Sequence, residues 1–127
     1  MTTLGAALGE ISSGRVDVEL RPRPEISQQH GFVHAGAISA IADTAAGYAA
    51  LSVMPADGGV LATEFKINPG APTIGERIIA RGRVVKAGRT LTLTQSDVFA
   101  VNTGQEKLVA VLMATMMTIE GREGISD

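Results

Sequence analysis

The order of apolar and polar positions divides the chain into one long helix and a series of strands. Val16-Asp17-Val18-Glu19-Leu20-Arg21 alternates apolar with polar residues, the period of a half-buried strand. Pro22 and Pro24 end it. Residues 25–33 carry no clean period and read as a loop. From His34 to about Val53 the chain is Ala-rich, with apolar residues nearly all round the helical axis. Such a helix is expected to be wrapped by other structure. Pro55 and Gly58-Gly59 close it.

Everything after the helix reads as strand. Leu61, Thr63, Phe65 and Ile67 are expected on one face of the next segment, with Glu64, Lys66 and Asn68 on the other. Asn68-Pro69-Gly70-Ala71-Pro72 reads as a turn, and residues 77–86 as a strand closed by Ala87-Gly88-Arg89. Thr90, Thr92, Thr94 and Ser96 alternate with Leu91 and Leu93, a further strand. Asn102-Thr103-Gly104 marks a hairpin, and residues 108–119, apolar on both faces, a strand inside the sheet. Short turns require antiparallel pairing. One strand, a buried helix and four antiparallel strands give an α+β fold, a curved sheet around one helix.

Composition narrows the chemistry. A length of 127 residues fits one domain spanning the chain. Apolar residues are 45% of it but aromatics only 3%, so the core must close through small aliphatic side chains. The net charge of -2 gives no overall attraction to nucleic acid or acidic membranes. With no cysteine, disulfides, thiolate chemistry and Cys-ligated zinc are excluded, and a cytoplasmic location is expected. Residues 1–10 lack the basic start and apolar run of a secretory leader. Residues 35–54 are long enough to span a bilayer, but Ala contributes little to insertion and an Asp lies inside. A buried soluble helix is expected.

That Asp is the informative residue. Asp43 is the only charged side chain between Ala35 and Ala56, and its helical neighbours are Ser39, Ala40, Ala46 and Gly47. Burying an unpaired carboxylate costs several kcal/mol, so Asp43 is expected to face a cavity or a partner or to carry a raised pKa, the alternative being that it caps or bonds a neighbouring loop amide. The second feature is the helix entry. A helix starting near His34 leaves free backbone N–H groups at Ala35 and Gly36, ready donors to a developing oxyanion. His34 either shapes this entry or merely bonds a carbonyl. From Ala35 to Asp43 is about 12 Å along a helix, too far for both to act on one carbonyl. An antiparallel copy in a two-fold dimer would bring the two features together.

These residues carry a resemblance. His34-Ala35-Gly36, six further residues and Asp43 resemble the His-Gly-Gly … Ala-Asp motif of the phenylacetyl-CoA thioesterase-like (PaaI-type) family of hotdog-fold acyl-CoA thioesterases. Gln28, Gly31 and His34 resemble its lead-in, Glu64-Phe65-Lys66-Ile67-Asn68 its second strand, and Val84-Val85-Lys86-Ala87-Gly88-Arg89-Thr90 its third hairpin. The likeness implies hydrolysis of an acyl- or aryl-CoA to free acid and CoA, without metal or cofactor, in a dimer or a tetramer of two dimers. It implies Asp43 as nucleophile or general base, Ala35 N–H as carbonyl-polarising donor, His34 as the residue orienting that loop, and Gln28 as holding the carbonyl or the water. Gly36, Lys86, Gly88 and Arg89 fall where substrate would bind. The chain departs from the pattern at Ala35 for Gly, Gln28 for Asn, and Ala62 where a Ser or Thr is usual. Thr63 beside it should point to the other face. Arg77, Arg81 and Arg83 share a strand face and would either serve the CoA phosphates or form a solvated face or inter-subunit ion pairs. A hotdog hydratase, which needs a His base, and a non-catalytic acyl-CoA binder are the competing readings. The acyl group itself is not legible.

Overall fold

The computed structural model describes residues 6–22, 35–54, 58–70 and 75–120. In chain order these form β1 (Ala6–Ser12), β2 (Arg15–Leu20), α1 (Ala35–Leu51), β3 (Gly58–Pro69), β4 (Arg77–Ala87), β5 (Leu91–Asn102) and β6 (Gln105–Glu120). The strands make one antiparallel sheet in the order β1-β2-β4-β5-β6-β3. The sheet curls round α1, the hotdog arrangement. Strand β1 has no counterpart in the sequence reading. Six of its seven residues are exposed, so it carries no apolar alternation to read. Strand β6 lies inside the sheet as expected, one place in from the β3 edge.

Helix α1 lies across β4, with β2 and β5 beside it. It buries two adjacent columns, Ala37, Ile41, Ala45 and Ala49 in one and Ile38, Ala42, Ala46 and Ala50 in the other. These meet Val16, Val18, Leu20, Ile78, Ala80, Val98, Leu112 and Met116 from the sheet. Small side chains let the helix come very close. At Gly82 an added Cβ would lie 2.3 Å from the carbonyl carbon and oxygen of Ala45, so backbone rests on backbone. The opposite flank of the helix stays open. Gly36 and Tyr48 are exposed, and Asp43, Thr44, Gly47 and Leu51 half-buried. The all-round wrapping expected from sequence is therefore confined to the sheet side. Glycine, alanine and serine on the open flank hid this asymmetry, because they register neither as core nor as surface.

Two strand readings change in detail. In β5 the inner face is the polar one, with Thr92, Thr94 and Ser96 at most 1% exposed. Leu91 and Leu93 stand on the outer face, 48% and 44% exposed. Buried hydroxyls need partners: Thr94 donates to the Ala114 carbonyl at 2.9 Å, and Ser96 to the Ala42 carbonyl at 2.6 Å. In β3 the register shifts between Ala62 and Glu64, a bulge that places Thr63 between phases. Ala62, Phe65 and Ile67 then share the inner face, opposite Met116, Ala114 and Leu112. The simple alternation expected for 61–67 fails at that point. The β5–β6 hairpin is as read: Thr103 and Gly104 both take positive φ, 49° and 80°, the two-residue turn that suits strand twist.

The outer face of β4 carries the arginines. Arg77 meets Glu19 at 2.8 Å, and Arg81 forks onto Glu106 with its second bond at 2.7 Å. The Arg81 guanidinium also lies 5.0 Å from the Phe99 ring centre. Arg77 and Arg81 are thus paired within the chain while their side chains stay 41% and 39% exposed.

The backbone contact at Gly82 generates a prediction. Gly82→Ala should destabilise the fold by about 3 kcal/mol or more, since the clash is with main chain that cannot swing aside. Urea unfolding measures this, and a wild-type midpoint would contradict the close approach.

Candidate active site

Asp43 is held by its neighbours' contacts. The Ser96 hydroxyl bonds the Ala42 carbonyl, one residue before it. Ser96 pairs in register with Gly82 across β4 and β5, and Gly82 presses on Ala45, two residues after it. The turn of α1 that carries Asp43 is therefore anchored from both sides, while the carboxylate points to the open flank. Thr44 spends its hydroxyl on the Ala40 carbonyl at 2.7 Å, within the helix. Among the described residues no hydrogen bond or ion pair reaches the Asp43 carboxylate. Burial alone pushes its pKa up from the ordinary carboxylate value. A half-buried, unpaired carboxylate is a basic one, suited to taking a proton or attacking a carbonyl.

In front of it lies a groove of about 300 Å³, open along one side. Asp43, Thr44, Gly47, Tyr48 and Leu51 form its helical wall, and Val60, Ala62 and Met116 its sheet wall. Apart from Asp43, Thr44 and the Tyr48 hydroxyl, this lining is apolar. Ala62 occupies the place where the resemblance led one to look for a hydroxyl. Thr63 supplies none, because its hydroxyl donates to the Thr115 carbonyl at 3.1 Å.

The other candidate residues divide three ways. Ala35 is the first residue of α1 and Gly36 the second, with the helix unbroken to Leu51. Ala35 and Asp43 of one chain are therefore about 12 Å apart along the axis and do not meet. Among the described residues, nothing lies within 4 Å of a Cβ placed at Gly36. Gln28 and His34 lie outside the described residues, as does His30. Lys86, Gly88 and Arg89 are exposed at the β4–β5 connection and do not line the Asp43 groove. Gly88 has an internal reason for being glycine, since a Cβ would fall 2.2 Å from the Leu91 carbonyl oxygen. The groove residues Tyr48, Leu51, Val60 and Met116 escaped the sequence reading, being ordinary apolar positions until the fold assembles them.

The sequence matches the family model of the Thioesterase superfamily over residues 30–107. A solved thioesterase family protein from Silicibacter pomeroyi is 43% identical, with a TM-score of 0.92 over 95% of this chain and 89% of that one. The chain belongs to the thioesterase superfamily. A point mutant of the phenylacetic acid degradation protein PaaI from Thermus thermophilus is 27% identical, with a TM-score of 0.78 over 92% of this chain and 96% of that one. A thioesterase from Haemophilus influenzae shares the fold at 20% identity, with a TM-score of 0.87 over 97% of this chain and 84% of that one. No curated protein matches the sequence. Membership supports thioester hydrolysis as the class of chemistry. Among the described residues of this thioesterase-superfamily chain, no helix is long and apolar enough to cross a membrane.

The lone carboxylate should leave a thermodynamic trace. Its raised pKa means that the native state holds the Asp43 proton more tightly than the unfolded chain does. That stabilisation is present in acid and is lost as pH rises through the native pKa. Asp43→Asn, which does not titrate, should therefore melt a few degrees higher than wild type at neutral pH. The gap should close as pH falls below the carboxylate range. Calorimetry across pH checks this, and a less stable Asp43→Asn at neutral pH would reveal a partner that the carboxylate needs.

Proposed function

We propose that the protein hydrolyses acyl-CoA thioesters to a free acid and CoA, at a site shared between two subunits. The observation that carries this reading is Asp43: half-buried, without a partner among the described residues, and facing an apolar groove. As general base, Asp43 takes a proton from water while the oxygen adds to the thioester carbonyl carbon. The oxyanion accepts from the Ala35 backbone N–H at the positive end of the helix dipole. Collapse breaks the C–S bond, and the departing CoA sulfur takes up the proton. As nucleophile, Asp43 would attack the carbonyl carbon and expel CoA as its thiolate, leaving an anhydride that water then cleaves to the free acid and the Asp43 carboxylate, the proton released going to the CoA sulfur. His34 would orient the helix entry and Gln28 the carbonyl or the water. Gly36, Lys86, Gly88 and Arg89 would receive the pantetheine and phosphate portions. No metal or cofactor is required by this scheme.

The second subunit follows from distance. Ala35 and Asp43 of one helix cannot serve one carbonyl. Strand β3 is a twelve-residue edge bordering the groove, and such an edge invites pairing. A two-fold copy added there would continue the sheet and set the two helices antiparallel, Ala35 of one toward Asp43 of the other. Exposed Leu91, Leu93 and Met113 on the outer sheet face suit a further pairing of dimers into a tetramer. A non-catalytic acyl-CoA binder is disfavoured, since an apolar ligand gains nothing from a desolvated carboxylate. The cytoplasm, where acyl-CoA is made and used, is the matching location.

Asp43→Ala and Asp43→Asn should each lose CoA release from acyl-CoA by roughly a thousandfold or more, with the oligomer intact in ultracentrifugation. For the wild type, the acid limb of kcat/KM should lie above the usual carboxylate range, because the reactive form is the carboxylate and burial raises its pKa. Full activity in Asp43→Ala would sink the mechanism. An active, stably monomeric variant would refute the shared site.

A further inference from the structure

Glycines in this chain answer to different needs. Gly14 and Gly104 take positive φ, 77° and 80°. Gly82 and Gly88 have backbone so near that a Cβ would collide. Gly47 has neither reason. It sits in regular helix, and a Cβ there would meet none of the described residues within 4 Å. Glycine weakens a helix interior relative to alanine, and alanine fills positions 45, 46, 49 and 50 around it. None of the described residues uses the space above Gly47.

Its surroundings say what kind of occupant would fit. Asp43 lies one turn earlier on the same face, and the wall opposite is Val60, Ala62 and Met116. Leu51 borders the groove one turn further on, about 12 Å along the helix from Asp43. A fitting occupant has an apolar body and an electrophilic carbon at the Asp43 end. In the proposed two-fold arrangement the partner's α1 begins at the Asp43 end and runs back toward Ala35, so it does not extend over Gly47.

We propose that Gly47 is a specificity-determining residue, the floor of a groove that takes an apolar acyl group of short to medium length. The inference rests on Asp43 as the catalytic carboxylate. The acyl chain lies along α1 from Asp43 over Gly47, and Leu51 limits its length. The apolar run of the groove from Asp43 to Leu51, about 12 Å, suits a chain of that reach.

The test is a chain-length profile for Gly47→Ala and Gly47→Leu against acetyl- to dodecanoyl-CoA. Gly47→Leu should lower kcat/KM for octanoyl-CoA relative to acetyl-CoA by about tenfold or more, with oligomeric state unchanged. Gly47→Ala should shift the ratio less and raise Tm. In an Asp43→Asn background, calorimetry should show Gly47→Leu weakening octanoyl-CoA binding while sparing free CoA. An unchanged profile overturns the proposal. So does an equal loss for every chain length with dissociation of the oligomer, which would make a partner helix the occupant. Should Asp43→Asn keep wild-type hydrolysis while the chain-length shift persists, the catalytic reading fails and the groove stands.

Discussion

The structure depends on a contact with no side chain in it, the Ala45 backbone of α1 resting on Gly82 of β4. Every feature of the helix follows from that closeness. Its sheet side can hold only alanine and isoleucine, arranged in two columns. Its polar backbone comes within reach of the sheet, so that Ser96 can bond the Ala42 carbonyl directly. An interior with 3% aromatic residues is filled by bringing backbones together and not by large side chains.

The same contact decides where Asp43 points. With residues 42, 45 and 46 pressed to the sheet, residue 43 is turned to the flank that the sheet does not cover. There the carboxylate is partly desolvated and finds no compensating donor among the described residues. A structure selected for stability alone would have neutralised it. The stability that the carboxylate sacrifices is recovered in the ordinary core, which leaves the groove free to retain a reactive group.

Much of this was legible in the residues. The Ala-rich run, its closing Pro and Gly residues, and the alternation in 16–21 and 77–86 marked the helix and strands, because local periodicity reflects local burial. Asp43 stood out because a charge amid alanine has no local explanation. What failed to show had equally physical reasons. Strand β1 is an exposed edge and carries no period. The β3 bulge changes which face Ala62 and Phe65 take without altering composition. The inward threonines of β5 look like a surface face until their backbone acceptors come into view.

The α+β class, the position of the long helix and the separation of Ala35 from Asp43 follow from residue order alone, since each is a matter of spacing along one chain. Packing in three dimensions settles which flank of that helix is exposed, that Val60, Ala62 and Met116 face Asp43 across a groove, and that a Cβ is excluded at Gly82 while none of the described residues would meet one at Gly47. At Gly82 the space is taken by the chain's own backbone. At Gly47 it is left empty by the described residues, and emptiness is a property of three-dimensional packing that no pattern along the sequence records.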